Sequence, residues 1–432
     1  MIRFGTDGIR GVFGEELTLD IAYKFGNAIS GNVLIGHDTR FSSSMLADKL
    51  IEGLVDAGGN ATYVGVCPTA GVAYLTRKEK CDFGVVITAS HNPSEYNGIK
   101  LFGKNGQKID SGCEKLIEKH INFENIIKKN KKGKRFDKLF LLNEYIEFLH
   151  KNVSNSDFSK FKIVLDCANG AAYKIAPTLF EKMGVKIFLL GCEPDGRNIN
   201  KNCGSLHIEN LQKEVVLKKA DFGFSFDGDA DRLIAVDENG AAVDGDMLLY
   251  LIATNYLEKE KLNKRTVVGT KMTNLGVEKA FCEKGISLSR VDVGDKYINE
   301  ELERKCLLLG AEQSGHILMK DRHSTGDGIL SALVVTEICK EKKKNLSQFF
   351  DFEKYKQTIK NVFVKNRDEV FESEELKNEI EKQNKLLKND GRILVRKSGT
   401  EPLIRIMVES KDENLNNKIA EDIEMKIHDF EK

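Results

Sequence analysis

Phe83-Gly84-Val85-Val86-Ile87-Thr88-Ala89-Ser90-His91-Asn92-Pro93 is the stretch from which the rest of the chain is read. The apolar, β-branched run Phe83 to Ile87 predicts a short buried strand of a parallel sheet. In open α/β sheets, ligands bind beyond the carboxyl ends of the strands. Ser90 is therefore expected to be an exposed, reactive hydroxyl. Pro93 stiffens the turn, Gly98 lets the chain return, and His91 and Lys100 place two potential cations beside one hydroxyl. This set suits a serine that carries a phosphoryl group, whose charge near neutral pH is about −1.5 to −2. Ser and Asn are also ordinary turn residues, so the stretch taken alone equally fits a plain strand-to-loop turn.

Upstream, residues 3–11 hold three glycines among polar residues, with Arg10 in a tight loop that can bring backbone close to an anion. Leu17 to Ile29 predicts a helix, Val33 to Ile35 a strand, Ser42 to Val55 a helix opened by a serine cap, and Ala61 to Val64 a strand. The alternation argues for a parallel sheet with helices on its faces. Lys128 to Arg135 reads as a solvated basic linker, and a helix over Lys138 to His150 closes the first unit.

A second unit runs from the strand Phe161 to Leu165 through a helix, Ala171 to Met183, a strand, Val185 to Leu190, and a helix, Ile208 to Lys218. It leads to Phe222 to Phe226, whose three phenylalanines share one face. At the end of that run stands Asp227-Gly228-Asp229-Ala230-Asp231-Arg232. Three carboxylates at alternate positions, spaced only by Gly and Ala, can turn inward around one point. Charges that close repel strongly unless a cation sits between them. Oxygen-only ligands indicate a hard cation, with Mg²⁺ the first choice. A structural Ca²⁺ loop competes, because Glu238 falls twelve positions into an EF-hand register. Against it, Arg232 stands where that loop needs glycine, and the flanks read as strands.

The third unit starts near Asp246 and alternates helices (Met247 to Tyr256, Asn274 to Lys284) with strands (Thr266 to Gly269, Leu288 to Val291, Leu307 to Gly310). It presents Glu312-Gln313-Ser314-Gly315-His316, residue types that recognise hydroxyls and move protons, before a closing helix at Asp327 to Lys340. Composition then shifts to charge-rich sequence. Strands Ile393 to Val395 and Leu403 to Val408 flank Arg396-Lys397-Ser398-Gly399-Thr400-Glu401-Pro402. Two cations, two hydroxyls and a glycine describe a phosphate cradle, to which Arg405 can add a third cation. The chain thus divides into 1–150, carrying the serine; 151–244, the metal loop; 245–355, the sugar-reading segment; and 356–432, the cradle.

Bulk composition agrees. The 432 residues are 41% hydrophobic and 31% charged, as in a globular protein of several domains. Lys+Arg and Asp+Glu both number 66, which gives no support to nucleic-acid binding. Nine cysteines, an odd number without a Cys-x-x-Cys pair, point to reduced thiols in the cytoplasm. No apolar stretch approaches a membrane span, and no signal segment opens the chain.

Gly5 to Gly11, the Ser90 loop, Asp227 to Arg232, Glu312 to His316 and Arg396 to Pro402 occur together and in order. In this the chain resembles the α-D-phosphohexomutase superfamily over its whole length. Asp166 to Tyr173, Val268 to Gly276 and Glu312 to His316 resemble its glucosamine branch, whereas Lys296 stands where many members of that branch have arginine. The resemblance implies an α/β fold, with three similar mixed α/β domains plus a smaller α+β C-terminal domain around a central cleft. It implies a phosphoserine enzyme that interconverts glucosamine 6-phosphate and glucosamine 1-phosphate through a 1,6-bisphosphate, on the route to UDP-N-acetylglucosamine and cell-wall precursors. Ser90, Asp227, Asp229 and Asp231 would hold Mg²⁺. Ser90, His91, Lys100, Arg10 and His316 would be catalytic, with the general base open between His316 and Lys100. Arg232, Glu312, Ser314, Arg396, Ser398, Gly399, Thr400 and Arg405 would bind substrate. The partner is a small hexosamine phosphate, with neither nucleic acid nor membrane, and a homodimer is the assembly considered. Two other classes stay open: a metal-dependent phosphatase that uses water as acceptor, and a non-enzymatic sugar-phosphate binder.

Overall fold

The computed structural model describes residues 2–5, 7–123, 125–153, 157–388, 390–397 and 402–430. The chain forms two compact units, Met1–Thr270 with Ser289–Phe350, and Lys271–Leu288 with Asp351–Lys432.

The first unit contains three sheets. The largest runs, in spatial order, Ile9–Val12, Tyr96–Gly103, Phe83–Ile87, Asn32–His37, Asn60–Val66, Arg135–Asp137. Its four strands from Phe83–Ile87 to Arg135–Asp137 are parallel, but Tyr96–Gly103 is antiparallel to both neighbours. The sheet is therefore mixed, not parallel as expected. The cause is the Ser90 turn, where Asn92 N donates to Ala89 O and Tyr96 N to Pro93 O. A return this short can only pair strands antiparallel, since a parallel partner needs a long crossover. The expected basic linker is exposed, irregular chain from Lys128 to Lys134, and only its last residue, Arg135, enters this sheet. Arg135 belongs to its edge strand and pairs with Asp48 at 2.8 Å, and Lys132 pairs with Asp56 at 2.6 Å.

The second sheet has Phe222–Phe226 at its centre, antiparallel to Leu233–Asp237 and parallel to Lys162–Asp166, which in turn pairs parallel with Lys186–Leu190. All five residues of Phe222–Phe226 are buried, so helices cover both faces and the strand reads as a continuous apolar run. The third sheet orders Ser287–Val291, Thr266–Thr270, Leu309–Ala311, Ile317–Met319. The helix Gly328–Lys342, capped by Asp327 Oδ1 accepting from Leu330 N at 3.0 Å, packs on the helix Gly245–Glu258 and on Leu233–Asp237. It ties the second and third sheets into one body.

The second unit is a three-stranded antiparallel sheet with Leu403–Ser410 between Lys356–Phe363 and Gly391–Lys397. Ile419, Ile423 and Ile427 fall every four residues along the helix Glu413–Phe430 and are fully buried against Ile404, Ile406 and Val408. Truncating such a residue to alanine costs about 2–5 kcal/mol. The segment Lys271–Leu288 belongs here too. Asn274 bonds the Tyr355 backbone twice, at 2.9 and 3.0 Å, and Arg392 donates to Thr273 O at 2.7 Å. Among the described residues, no helix is long and apolar enough to cross a membrane.

Candidate active site

Ser90 follows the strand Phe83–Ile87 with φ +52, the left-handed region that non-glycine residues adopt only when their surroundings enforce it. Here the surroundings are a buried polar web. Thr88 Oγ accepts from Ser90 N at 2.9 Å and donates to Asp38 Oδ2 at 2.8 Å. Asp38 also accepts from Arg40 Nε at 2.8 Å and from Ser43 Oγ at 2.6 Å. The Arg40 guanidinium donates to the carbonyls of Ser90 at 3.0 Å, Asn92 at 2.8 Å and Pro93. Asn200 Nδ2 donates to Ser90 O at 2.9 Å and to Asn92 O at 3.0 Å. One side of the turn is thus saturated by donors. Ser90 Oγ donates at 2.5 Å to Asp227 Oδ2.

Three expectations are corrected here. Ser90 is fully buried, not exposed, because the Asp227 loop covers it. His91, 3.3 Å from Ser90 Oγ through Nδ1, is no cation: burial, with Arg232 and Arg10 nearby, pushes its pKa down to about 3. No serine caps the next helix, which begins at Phe41; Ser42 and Ser43 lie inside it and accept from Asn97 Nδ2 at 2.8 and 2.9 Å.

Asp227, Asp229 and Asp231 converge as their spacing predicts. Their carboxylate oxygens lie within 4.8 Å of one another, and all three residues are buried. The backbone can close this far because Gly228 meets Gly170: a Cβ on Gly170 would stand 2.4 Å from Gly228 O, which Ala171 N already reaches at 2.8 Å. Lys100 Nζ donates to Asp229 Oδ2 at 2.7 Å and Asp231 Oδ2 at 3.0 Å, and Thr69 Oγ donates to Asp229 Oδ2 at 2.6 Å. Burial, then the neighbouring Asp229 and Asp231, push Asp227 well above the carboxylate range. Burial would raise Asp231 too, but Lys100 and His316 hold it well below. Asp229 Oδ1 and Asp231 Oδ1 are buried without a hydrogen-bond donor. A buried, oxygen-only set with uncovered oxygens and one carboxylate forced toward protonation fits a metal ion. The flanking elements are strands, and Glu238 is taken by Ser347 Oγ at 2.5 Å, so the EF-hand alternative fails.

A chain of ion pairs extends from the triad. Asp7 receives Lys100 at 2.9 Å, Lys108 at 2.6 Å and Arg10, which also reaches Asn92 Oδ1 at 3.3 Å. Lys108 continues to Asp295 at 2.6 Å. His316 stands between Asp295 (Nε2, 3.5 Å) and Asp231 (Nδ1, 3.6 Å). Against burial, these carboxylates draw His316 up to about 9. Arg232 forms a backbone bridge with His316, and its Nε lies 4.0 Å from Asp231 Oδ1. Burial pushes the Glu312 carboxyl up, and Ser314 is half-buried in the same turn. A cavity of about 260 Å³ opens beside this chain, lined by Lys108, Asp110, Asp295, Lys296, Asn299 and Glu303 among others.

In the second unit, Arg396 and Arg405 sit directly opposite one another on neighbouring strands, both half-buried. Ser398, Gly399 and Thr400, expected between them and Pro402, lie outside the described residues. Sequence reasoning missed Asp7, Asp38, Arg40, Thr69, Lys108, Asn200 and Asp295. A signal existed for one pair, since Asp38-Thr39-Arg40 follows a strand of the same parallel set as Phe83–Ile87.

Comparison with known proteins agrees with this geometry. Four segments match the phosphoglucomutase/phosphomannomutase family: residues 1–126 its α/β/α domain I, 143–240 domain II, 244–355 domain III, and 359–426 its C-terminal domain. The chain is 44% identical to a phosphoglucosamine mutase of Clostridioides difficile (strain 630), covering 96% of both proteins. It is also 44% identical to one of Thermoanaerobacter pseudethanolicus, covering 98% of this chain and 99% of the relative. Among solved structures, a phosphoglucomutase/phosphomannomutase family protein of Burkholderia thailandensis superposes with a TM-score of 0.81 at 22% identity, over 98% of this chain and 97% of that one. An Aspergillus fumigatus N-acetylphosphoglucosamine mutase, solved with GlcNAc-6P and magnesium, superposes at 0.73 and 18% identity, over 100% of this chain and 96% of that one.

Proposed function

Because the chain belongs to the phosphoglucomutase/phosphomannomutase family, we propose that its site interconverts glucosamine 6-phosphate and glucosamine 1-phosphate through a phosphorylated Ser90. The observation that carries this reading is the Ser90 hydroxyl on Asp227, at the rim of a buried acidic triad. An enzyme phosphate on Ser90 Oγ would place an oxygen beside the three carboxylates as the remaining ligand of a hard cation, for which Mg²⁺ is proposed. Bound there, Mg²⁺ would offset the charge of the transferring phosphoryl group.

The chain's own residues do the rest. The Arg40 and Asn200 donors hold the serine turn at its carbonyls, so the hydroxyl keeps one direction through the cycle. Phosphoserine gives its phosphoryl group to the free hydroxyl of the sugar monophosphate. The bisphosphate turns over, and its other phosphate returns to Ser90. Burial would lower Lys100, but Asp229, Asp231 and Asp7 keep it firmly charged, so it serves as a fixed cation with Arg10 and Arg232. His316, which against burial is drawn up to about 9 by Asp231 and Asp295, is itself mainly charged at neutral pH, so the hydroxyl proton is left between His316 and Lys100. Glu312 and Ser314 read sugar hydroxyls or the 2-amino group. Arg396 and Arg405, with Ser398, Gly399 and Thr400, take the phosphate that does not react. A simple phosphatase needs no such second handle, which weighs against that class. Nine free cysteines support a cytoplasmic location, and a homodimer is the assembly proposed, to be checked by sedimentation.

The test follows purified protein with glucosamine 6-phosphate and a trace of 1,6-bisphosphate. Formation of glucosamine 1-phosphate is expected. Release of inorganic phosphate alone would indicate a phosphatase, and neither product a binding protein. Equal kcat/KM for glucose or mannose 6-phosphate would move the substrate to the wider hexose class and leave the mechanism intact.

A further inference from the structure

We propose that Cys192 and Cys167 form a thiol pair that peroxide oxidises to a disulfide, and that this bond disables the Asp227–Asp231 loop; the second half rests on the activity proposed above. The strands Lys162–Asp166 and Lys186–Leu190 are parallel neighbours, with Asp166 opposite Leu190. Both cysteines therefore emerge at adjacent strand ends. The Leu190 carbonyl accepts from Cys167 N at 3.0 Å and from Cys192 Sγ at 3.3 Å, so one oxygen gathers both residues. Cys192 is half-buried, whereas Cys167 is wholly enclosed. The neighbouring Cys167 draws the Cys192 thiol down from its ordinary value, while Cys192 and burial drive Cys167 well above it. An accessible, acidified thiol backed by a protonated one is an attacking and resolving pair. Nothing in the mechanism above uses either.

The chemistry balances with hydrogen peroxide as oxidant. The Cys192 thiolate attacks one peroxide oxygen; the S–O bond forms, the O–O bond breaks, and hydroxide leaves, taking a proton to become water. Cys167 then attacks the Cys192 sulfur. The S–S bond forms, the S–O bond breaks, and the second hydroxide leaves as water with the Cys167 proton. Two thiols lose two electrons and one peroxide becomes two waters.

The loop they bracket touches both halves of the site. Asn169, at φ +50, donates to Gly191 O at 2.6 Å and accepts from Thr39 Oγ at 2.5 Å. Gly170 and Ala171 press on Gly228 of the acidic loop. Asn200 N donates to Ala168 O at 2.9 Å, while its side chain holds the Ser90 carbonyl. A disulfide fixes Cβ separation at roughly 3.5–4.5 Å with a dihedral near ±90°. Imposing this between Cys167 and Cys192 moves the Ala168–Gly170 turn against Gly228. Displacements of that kind near reacting groups cost rate by up to about a hundredfold.

The test treats full-length reduced protein with hydrogen peroxide, blocks the remaining thiols and maps peptides by mass. A Cys167–Cys192 link is expected, with mutase activity falling about tenfold and returning with dithiothreitol. Cys192→Ser keeps a donor to Leu190 O, and it should form no link and hold its activity under peroxide. No link, or a link through the nearby buried Cys203, overturns the thiol pair. The expected link with undiminished activity overturns the switch. If the reduced protein shows no mutase activity, the functional reading fails, while the mapping still decides the pair.

Discussion

The two units hold positive charge in opposite ways. In the first, Lys100 is buried and meets Asp7, Asp229 and Asp231 within 3.0 Å. In the second, Arg396 and Arg405 face each other at paired, half-buried positions of adjacent strands. The first arrangement is organised in advance around charge that moves during reaction, where buried partners are most effective. In the proposed reaction the second pair would take the phosphate that is gripped and released unchanged.

This contrast breaks most directly at Ser90. Ser90→Ala should lower mutase activity by about a thousandfold or more, as loss of a nucleophile does elsewhere. Phosphopeptide mapping should lose its one labelled site. Full activity, or label on another residue, would dissolve the division of labour. Removing the metal strikes the same centre. Chelation should stop turnover, and Ca²⁺ should restore far less than Mg²⁺, because it takes more ligands at longer distances. Equal rescue by Ca²⁺ would recast the triad as a structural loop.

Why the triad was legible and its setting was not has a physical answer. Three aspartates at alternate positions state their geometry locally, and Phe222–Phe226 matched its run of aromatics residue for residue. The pairing of Lys100 with the triad depends on a strand, Tyr96–Gly103, that carries Asn97 and Lys100 at buried positions. Such a strand has no apolar pattern, because its polar groups are satisfied by residues more than 50 positions away. The helix Thr69–Lys78 was missed for the related reason that it is buried around most of its girth and shows no stripe. The helix Glu413–Phe430 is a different case: its isoleucines recur every four residues and were readable, yet went unread. The Asp38–Arg40 pair needed knowledge of which strand lies beside Phe83–Ile87.

Arg40 offers the next test. Arg40→Ala should reduce kcat by about ten- to a hundredfold with a smaller change in KM, because it sets the direction of Ser90 without touching substrate. Arg40→Lys keeps the charge but not the fork that reaches three carbonyls, so it should recover thermal stability more than kcat. Parallel recovery of both would reduce Arg40 to a structural residue. At the other unit, Arg396→Ala should raise KM roughly tenfold and lower kcat by a few-fold, as for a group that orients substrate through its remote phosphate. Unchanged kinetics would detach the arginine pair from the reaction.

The smallest effect concerns stability and sharpens the contrast between buried and open charge. His323 is fully enclosed, accepts from Thr325 N at Nδ1 (3.1 Å) and stacks edge-on with Phe148 at 5.3 Å. Burial, with Arg77 nearby, pushes it down to about 3. Its folded pKa lies below the unfolded value near 6.5, so between those limits the unfolded chain binds the extra proton. Its contribution is therefore complete above pH 6.5 and is lost as pH falls toward 3, at about 1.4 kcal/mol per pH unit. Asp327, pushed up to about 6 by burial, works in the opposite sense: the folded state holds its proton more tightly, which favours folding as pH falls from about 6 toward 4. The wild-type curve alone therefore mixes the two, and the difference between wild type and His323→Asn isolates the histidine. That difference should be flat above pH 6.5 and should grow in the variant's favour below it. It should belong to the transition of the first unit, with the second unit's transition unmoved, since His323 lies in the first. Parallel curves down to pH 4 would mean that His323 takes up its proton in place, and that the first unit's interior is wetter than its packing indicates.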